Sequence, residues 1–512
     1  MNSIGVRRWW ALAALDLGVL AVGLDVTVLS VALPTLATSL KASESDLQWF
    51  SSAYALVLAA GMLPAGVLGD RFGRKRVLLA ALAVFGAGSV ACAFSTTPAQ
   101  FIAGRVLLGA AGAAIVVMAL SVMTVLFSEE ERPRAVGIWA AANFLALPVG
   151  PIFGGWLLTN YWWGWIFLMN VPVALVGMTA VLTLVPESRA SEKPSLDPVG
   201  MFLVTAGLVG ITYGLIELGR NGWTDTPSLA VLAAGLALSV SFFVWERRLT
   251  MRPGGRPLVD LALFESRGFT WGTILAALGG LALIGLVFTL PQYSQGVLGL
   301  DPEGSGVRLL PLIAGMIAGA VPADRVAQRA GAKATVAFGF GVTTIALLVA
   351  STTAVNSSAW YVAGWMALLG FGMGVAFATA ASAALKTIPS EKSGVASALI
   401  QAMQKVGAPL GSAVFGSVLV TVYQSSLSLA GVPPAAAAVV KLSVFAGVTV
   451  AERLHSPTLL ESVRHSFVQG MDTALLLSAA IAALAAVAAL IFLPGRETIA
   501  AVAEHRAAEK VA

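Results

Sequence analysis

Charged residues are scarce in this chain. Asp, Glu, Lys and Arg together make up 11% of the 512 residues, whereas a soluble globular domain carries about 25%. Hydrophobic residues account for 58% of the sequence. Too few charged side chains remain to cover a water-facing surface, and no soluble fold can bury this many long apolar runs. The composition therefore predicts a protein that crosses a membrane many times.

Cysteine, histidine and nucleotide-binding motifs are also nearly absent. The one cysteine, Cys92, lies in an apolar run, and the three histidines have no metal-ligand spacing, which excludes a disulfide framework and a zinc site. The chain contains no Walker sequence, and its Gly-rich stretch at 370–374 lies inside an apolar run rather than after a soluble strand. The net charge of +5 does not by itself indicate nucleic acid. We therefore expect no enzymatic activity, no metal, no cofactor and no nucleic-acid partner.

Apolar runs dominate what is present. Each of fourteen runs approaches the roughly 20 residues that a membrane span requires. They cover residues 10–34, 49–69, 77–95, 101–126, 135–158, 164–185, 198–218, 228–245, 270–292, 306–323, 334–353, 360–384, 395–421 and 472–493. Because backbone groups in lipid must be satisfied within helices, we expect an all-α polytopic membrane protein with fourteen transmembrane helices.

Basic residues orient this predicted bundle. With the N-terminus in the cytoplasm, most of the 31 Lys and Arg residues fall in cytoplasmic segments, as the positive-inside rule requires. Those in predicted outer segments are Lys41, Arg220, Lys441, Arg453 and Arg464, and those within spans are Arg105, Arg308 and Lys405. We therefore expect a multi-pass protein of the cytoplasmic (inner) membrane with both termini in the cytoplasm. The outer segment 422–471 either holds helical pieces at the membrane surface or is a structureless loop.

A short basic loop follows the second run. It contains Gly66, Asp70, Arg71, Gly73 and Arg74 in an ordered spacing. This resembles the loop signature of the major facilitator superfamily, in which Gly73 permits a tight turn and Asp70 can form an ion pair that a conformational change makes or breaks. The alternative is a positive-inside loop with no further role. A degraded copy in the second half consists of Asp324, Arg325, Arg329, Gly331 and Lys333, as an internal repeat predicts.

The first run contains two carboxylates. The stretch from Leu24 to Pro34 resembles a signature of the fourteen-span drug:proton antiporter branch of that superfamily. Asp25 lies deep in the run, where an ionisable group is a functional hypothesis by default, because burial disfavours its charge and lets it exchange a proton. A structural carboxylate permanently paired with a cation is the alternative. Asp16 falls on the opposite helix face, and for it we favour a local polar contact over a transport role.

A buried arginine begins the fourth run. The stretch Arg105-Val-Leu-Leu108-Gly109 resembles the R-x-x-q-G motif of the same family, with Leu108 where glutamine is common. Arg105 cannot lose its proton, so it needs an acceptor, and its depth in the membrane allows it to meet Asp25. The resemblance implies that Arg105 responds to protonation of Asp25. The alternative is an arginine that extends to the outer interface.

A glycine- and proline-rich stretch lies in the fifth run. Gly150, Pro151, Gly154 and Gly155 resemble the antiporter motif g-x-x-x-G-P-x-x-G-G, which in this superfamily accompanies exporters. Ala146, Gly150 and Gly154 share one helix face and allow close approach of a neighbour. Ordinary glycine-rich packing is the weaker alternative.

Two further positions are secondary candidates. Glu217 ends the seventh run and resembles the family's l-i-e-g segment, although it can equally be interfacial. Lys405 in the thirteenth run stands where relatives often carry arginine. Spans nine to thirteen contain no acidic residue deep in the membrane, which argues against transport of dications.

The resemblance implies a major facilitator fold with two six-helix halves, residues 1–185 and 251–500, and two linking spans in residues 186–250. Residues 501–512 form a cytoplasmic tail. The implied function is proton-coupled export of amphipathic or cationic drugs by a monomer that contacts membrane lipids. A dedicated exporter of one endogenous product such as an antibiotic, an exporter of a lipid or cell-wall precursor, and a non-transporting receptor are the alternatives.

Reporter fusions after residues 440 and 510 test this topology. We expect the fusion at 440 to report the outside and the fusion at 510 to report the cytoplasm, because the basic residues place these positions on opposite sides. The measurement is the activity of side-specific reporters normalised to expression. If both fusions report the same side, the count of fourteen spans is wrong.

Overall fold

The computed structural model describes residues 2–127, 131, 135, 146, 149–189, 197–252, 261–386 and 393–494. Every regular element within these ranges is a helix, which confirms the predicted all-α class. The first helices are α1 (Asn2–Ser39), α2 (Glu44–Phe72), α3 (Arg74–Ala93) and α4 (Pro98–Leu126). After these come α5 (149–160), α6 (Trp165–Leu168), α7 (Asn170–Leu184), α8 (Pro198–Asn221) and α9 (Thr226–Thr250).

Side-chain caps fix where several of these helices begin. Ser43 and Asp46 form a reciprocal capping box at the start of α2, which satisfies backbone N–H groups that have no partner inside the helix. Thr97, Asp197 and Asp225 cap α4, α8 and α9, and a proline follows close behind each of them. Hydrogen bonds from the side chain and backbone of Ser228 lower the pKa of Asp225.

The remaining helices include two in the predicted outer segment. They are α10 (Arg267–Gln292), continued by a π-helix at Tyr293–Val297, then α11 (Pro302–Val307), α12 (Leu310–Ala330), α13 (Ala332–Ala350), α14 (Ala359–Lys386), α15 (Ser393–Ser426), α16 (Pro434–Val440), α17 (Val444–Arg453) and α18 (Pro457–Phe492). Residues 422–471 therefore hold α16, α17 and the start of α18. Of the two possibilities for this segment, helical pieces are the one observed.

The described helices account for most of the predicted spans. Eleven are long and apolar enough to cross a membrane, and α2 makes a twelfth if its two parts, bent by 50° beside Pro64, form one span. A proline explains the bend because it removes a helix hydrogen bond. The run at 135–158 lies largely outside the described residues, and 395–421 lies in α15, whose side chains are described only in part. The count of fourteen stays a prediction.

The chain divides into two compact units. The first comprises Met1–Leu258, Val287–Arg308 and Ser412–Gly470, and the second comprises Val259–Leu286, Leu309–Gly411 and Met471–Ala512. In the first unit, α4 packs on α2 and α3, and α8 packs on α9. The division into halves at 185 and 251 rests on sequence alone and stays a prediction.

Glycines bring α12 and α14 into contact in the second unit. A Cβ atom at Gly315 would lie 2.1 Å from the Ala367 carbonyl oxygen, and one at Gly370 would lie 1.9 Å from that of Leu312. No side chain fits at either position, so the two backbones touch. The glycines at 370–374 thus serve helix packing, in agreement with their rejection as a nucleotide loop.

Candidate functional site

An ion pair between Asp25 on α1 and Arg105 on α4 lies in the interior of the first unit. The Arg105 Nη1 atom donates to Asp25 Oδ2, and the two residues are only 2% and 1% exposed, respectively. Arg105 Nε also donates to the Phe50 carbonyl oxygen at 3.0 Å, and its guanidinium lies 4.3 Å from the centre of the Tyr54 ring. The arginine is therefore buried among partners rather than extended to an interface.

The register of α2 against α4 makes this arrangement possible. A Cβ atom at Gly109 would lie 2.6 Å from the Tyr54 carbonyl oxygen, and one at Gly112 would lie 3.1 Å from the Tyr54 hydroxyl. That hydroxyl donates to the Val22 carbonyl oxygen on α1 at 3.1 Å. The glycines that follow Arg105 thus let α2 approach closely enough to supply both a carbonyl and an aromatic face.

Asn170 on α7 is a further buried polar residue near the pair of Asp25 and Arg105. Asn170 is 1% exposed, and its amide lies close enough to influence the Asp25 carboxylate, although it donates to Ser89 Oγ at 3.3 Å. Asp25 Oδ1 accepts no hydrogen bond of ordinary geometry from any described residue. Among the described residues, Arg105 holds Oδ2 and no donor is assigned to Oδ1.

The antiporter-motif glycines pack against α1 just after Asp25. A Cβ atom at Gly150 would lie 1.9 Å from Thr27 Oγ1, and one at Gly154 would lie 2.6 Å from Val28 Cγ1. Thr27 Oγ1 also donates to the Ala146 carbonyl oxygen at 3.0 Å. The sequence predicts that Ala146, Gly150 and Gly154 share one helix face because they are spaced by four. This is the face that contacts α1.

The other side of the motif contacts α11. A Cβ atom at Gly155 would lie 2.7 Å from the Pro302 carbonyl oxygen, and one at Gly306 would lie 2.2 Å from that of Pro151. The motif therefore packs α5 between α1 and α11 with almost no intervening side-chain volume. On the α1 side these glycines meet the side chains of Thr27 and Val28, and because contacts this close leave little free space, we expect a shift of α1 to displace α5.

The basic loop after α2 forms the ion pair that the sequence suggests. Arg74 donates to Asp70 Oδ1 from Nε at 3.1 Å and from Nη2 at 2.9 Å. Gly73 has a φ of +114°, a value that L-residues with a side chain rarely adopt. Gly66 makes only ordinary contact with α4, and Arg71 lies over the ring of its neighbour Phe72.

A carboxylate that the sequence did not single out also holds this loop. Glu187 Oε1 accepts from the Lys75 backbone N–H at 3.2 Å, and Glu187 Oε2 lies 3.5 Å from Arg76 Nε. A Cβ atom at position 73 would lie 2.6 Å from the same carboxylate. Glu187 lies in the polar linker after the sixth run, where no spacing marks it as a partner of the loop.

The secondary candidates occupy separate places. Asp16 is 6% exposed, and its Oδ1 atom accepts no hydrogen bond from the described residues, so the local polar contact that we favoured for Asp16 stays a prediction. Glu217 accepts from Asn221 Nδ2 at 3.1 Å and lies 3.9 Å from Arg220, both on its own helix. The side chain of Lys405 lies outside the described part of the chain. The roles of all three residues stay predictions.

Comparison with known proteins decides the family. A model of the Major Facilitator Superfamily matches residues 15–412. The chain belongs to the major facilitator superfamily. It is therefore a multi-pass membrane transporter and not an enzyme.

Curated relatives within this superfamily are export and resistance proteins. The chain is 34% identical to a tetracenomycin C resistance and export protein of Streptomyces glaucescens, over 94% of this chain and 91% of that protein. It is 32% identical to the methyl viologen resistance protein SmvA of Salmonella typhimurium strain LT2, over 92% and 95%. It is 31% identical to the multidrug efflux pump LfrA of Mycolicibacterium smegmatis, over 95% and 96%.

Solved superfamily structures share the fold. A bacterial homolog of the human lysosomal transporter Spinster, in an inward-facing and unoccupied conformation, matches with a TM-score of 0.66 at 17% identity, over 94% of this chain and 98% of that one. A D-xylose-proton symporter matches with a TM-score of 0.61 at 16% identity, over 95% and 98%. These matches confirm the predicted major facilitator fold.

Adding one methyl group at Gly150 should destabilise this transporter. We expect Gly150→Ala to lower the free energy of unfolding by about 1–3 kcal/mol, because the new Cβ atom overlaps Thr27. The measurement is the thermal unfolding midpoint of the purified protein in detergent. Gly364→Ala is the matched control, since a Cβ atom there meets nothing within 4 Å. Equal midpoints for the two variants would contradict the packing of α5 on α1.

Proposed function

We propose that this chain exports amphipathic or cationic drugs or antibiotics across the cytoplasmic membrane in exchange for protons, with Asp25 as the proton site. The observation that carries the proposal is the buried pair of Asp25 and Arg105, which lies beside the antiporter-motif helix. Export relatives of 31–34% identity along nearly the whole chain support the direction of transport and the class of substrate.

The ion pair offers a direct coupling step. Arg105 keeps its charge at any physiological pH, so the carboxylate of Asp25 is the member whose charge can change. A proton on Asp25 removes the anion, and the partners of the guanidinium that remain among the described residues are the Phe50 carbonyl oxygen and the Tyr54 ring. Burying an arginine without an anionic partner is costly, so protonation favours a different arrangement of α1 against α4.

Packing carries such a rearrangement to α5. Gly150 and Gly154 contact Thr27 and Val28, which follow Asp25 within one helical turn. A substrate cation can compete with the proton for the Asp25 carboxylate when the two reach it from opposite sides of the membrane. Each proton that moves inward supplies roughly 2.3 kcal/mol per 100 mV of membrane potential.

A dedicated antibiotic exporter is the second candidate. The observation that favours it is the relative named for tetracenomycin C resistance and export, at 34% identity. The Asp25 and Arg105 pair serves a narrow and a broad exporter equally well, so substrate range is what separates them. Efflux assays across a panel of dyes, quaternary ammonium compounds and aromatic antibiotics distinguish the two, because a dedicated exporter moves one chemical class.

Replacing Asp25 with Asn should abolish proton-driven efflux. We expect dye efflux from proteoliposomes with an imposed pH gradient to fall to the level of empty liposomes, because Asn cannot carry the proton. Glu452→Gln, which changes an exposed carboxylate, is the control and should keep full efflux. Undiminished efflux by a well-inserted Asp25→Asn protein would exclude Asp25 as the proton site.

A double variant separates coupling from folding in this experiment. Asp25→Asn leaves Arg105 buried without an anion, which is expected to cost about 3–5 kcal/mol of stability. Asp25→Asn combined with Arg105→Gln removes both charges, so it should regain thermal stability without regaining efflux. If efflux returns together with stability, loss of fold rather than loss of the proton site explains the single variant.

Monovalent lipophilic cations should be exported better than divalent ones. A second charge near Asp25 needs a second carboxylate or bears a large desolvation cost, and spans nine to thirteen supply no deep acidic residue. The test compares efflux rates of mono- and bis-quaternary members of one compound series. One relative is named for resistance to methyl viologen, which is a dication. Efflux of dications is therefore the competing expectation. Equal or faster efflux of the dication would reveal a second acidic site.

A further inference from the structure

A second buried carboxylate lies at the start of α2, far along the chain from the Asp25 site. Glu44 is 4% exposed, and its Oε1 atom accepts from Gln292 Nε2 at 3.0 Å. Its backbone N–H donates to the Leu442 carbonyl oxygen at 2.8 Å. All three residues belong to the first compact unit. Glu44 thus joins α2 to the end of α10 and to the segment before α17.

Two buried oxygen atoms, one on this carboxylate and one on its amide partner, lack hydrogen-bond donors among the described residues. Glu44 Oε2 and Gln292 Oε1 are buried, and neither accepts a hydrogen bond from a described residue. Both atoms are acceptors when Glu44 is ionised, so they cannot satisfy each other. A proton on Glu44 Oε2 can donate to Gln292 Oε1, which completes the two-bond ring that a carboxylic acid forms with a carboxamide. One added proton therefore satisfies both atoms.

A second amide lies on the same face of α2. Gln48 follows Glu44 by four residues and is fully buried, with a relative exposure of 0%. Its Oε1 and Nε2 atoms also lack hydrogen-bond partners among the described residues. Residues four apart on a helix are neighbours, so Gln48 places a second buried amide close to Glu44. Unmade hydrogen bonds of this kind are expensive when buried.

Among the residues that the structure describes, no cation pairs with Glu44. The lysines closest in the chain to its contacts, Lys41 and Lys441, are exposed, and Glu44 forms no ion pair within the described ranges. Asp46 is occupied by the helix cap. The Tyr423 hydroxyl lies near Glu44, but it donates to the backbone carbonyl oxygens of Val440 and Ser443 rather than to the carboxylate. The helix start favours an anion modestly, whereas burial without a counter-ion opposes it strongly.

The contacts around Glu44 join helices from distant parts of the sequence. Gln295 Nε2 donates to the Val31 carbonyl oxygen at 2.9 Å, and the hydroxyls of Ser52 and Ser412 are 2.6 Å apart. These contacts connect the end of α1, the start of α2, the π-helix after α10 and α15. On the predicted topology this is the outer end of the bundle, through which a transported molecule leaves.

We propose that Glu44 is a second protonation site, which holds these outer helix ends together when it is protonated and lets them separate when it is ionised. Its proton enters and leaves on the outer side, so it controls opening without adding to the protons exchanged per substrate. The proposal does not require Asp25 to carry a proton, and it is tested without any transport measurement.

Accessibility of a buried reporter measures opening directly. The background is Cys92→Ala with Ser412→Cys, and the readout is the labelling rate by a membrane-impermeant thiol reagent from about pH 5.5 to pH 8.5. Opening that requires loss of one proton should speed labelling by up to about tenfold per pH unit. Glu44→Gln, an uncharged isostere, should label slowly at every pH. Dividing the labelling rate of the parent by that of the Glu44→Gln variant at each pH removes the intrinsic pH dependence of thiol reactivity.

Two further variants make the outcome decisive. Asp46→Asn removes a carboxylate two residues away that is already hydrogen-bonded, and it should keep the full pH dependence. Gln292→Met removes the amide that hydrogen-bonds Glu44, so it should move the pH at which labelling begins away from that of the parent even if Glu44→Gln folds poorly. The proposal is overturned if Glu44→Gln keeps the pH dependence of the parent, or if Asp46→Asn abolishes it equally.

The same measurement separates this proposal from the function of Asp25. In an Asp25→Asn background the pH-dependent labelling should persist, since Glu44 and its amide partners are unchanged. Loss of efflux with persistent labelling supports both proposals, and persistent efflux with pH-dependent labelling supports Glu44 alone. Labelling that loses its pH dependence in Asp25→Asn assigns the effect to Asp25 and overturns the role of Glu44.

Discussion

The charge of Arg105 sets the requirements for the helices around it. A guanidinium cannot shed its proton, and this one is 1% exposed, so each neighbouring helix must offer an acceptor or an aromatic face. Helix α1 supplies Asp25, and α2 supplies the Phe50 carbonyl oxygen and the Tyr54 ring. These partners fix the mutual register of α1, α2 and α4. Under the proposed function, the charge state of Asp25 is the variable on which that register depends.

Close packing at glycines links the register of these helices to the position of their neighbours. Gly109 and Gly112 bring α2 onto α4, and Gly150 and Gly154 bring α5 onto the turn of α1 that follows Asp25. Contacts this close leave little free space in which a small shift could be absorbed. A change at the ion pair therefore moves whole helices rather than individual side chains, which is the kind of motion a transporter needs.

The sequence predicted these features where they depend on local spacing or on depth in the membrane. The depth of Asp25 and Arg105 within their runs predicted that they could meet, and the spacing of four between Gly150 and Gly154 predicted their contact face. The sequence did not single out Glu44, because its polar stretch has the composition of a helix cap and its hydrogen-bond partner Gln292 lies 248 positions away. The sequence did not single out Glu187 for the same reason, because a carboxylate in a linker has no spacing that identifies its partners before the chain folds.

The two buried carboxylates respond to a proton in opposite ways. Asp25 is paired with a permanent cation, so protonation breaks an ion pair and leaves a buried charge without its partner. Glu44 is paired with a neutral amide, so protonation removes a buried anion and completes hydrogen bonds. Taken together, the two proposals give an order of events. A proton from outside reaches Asp25 while Glu44 is ionised and the helix ends are apart, and protonation of Glu44 then holds those ends together.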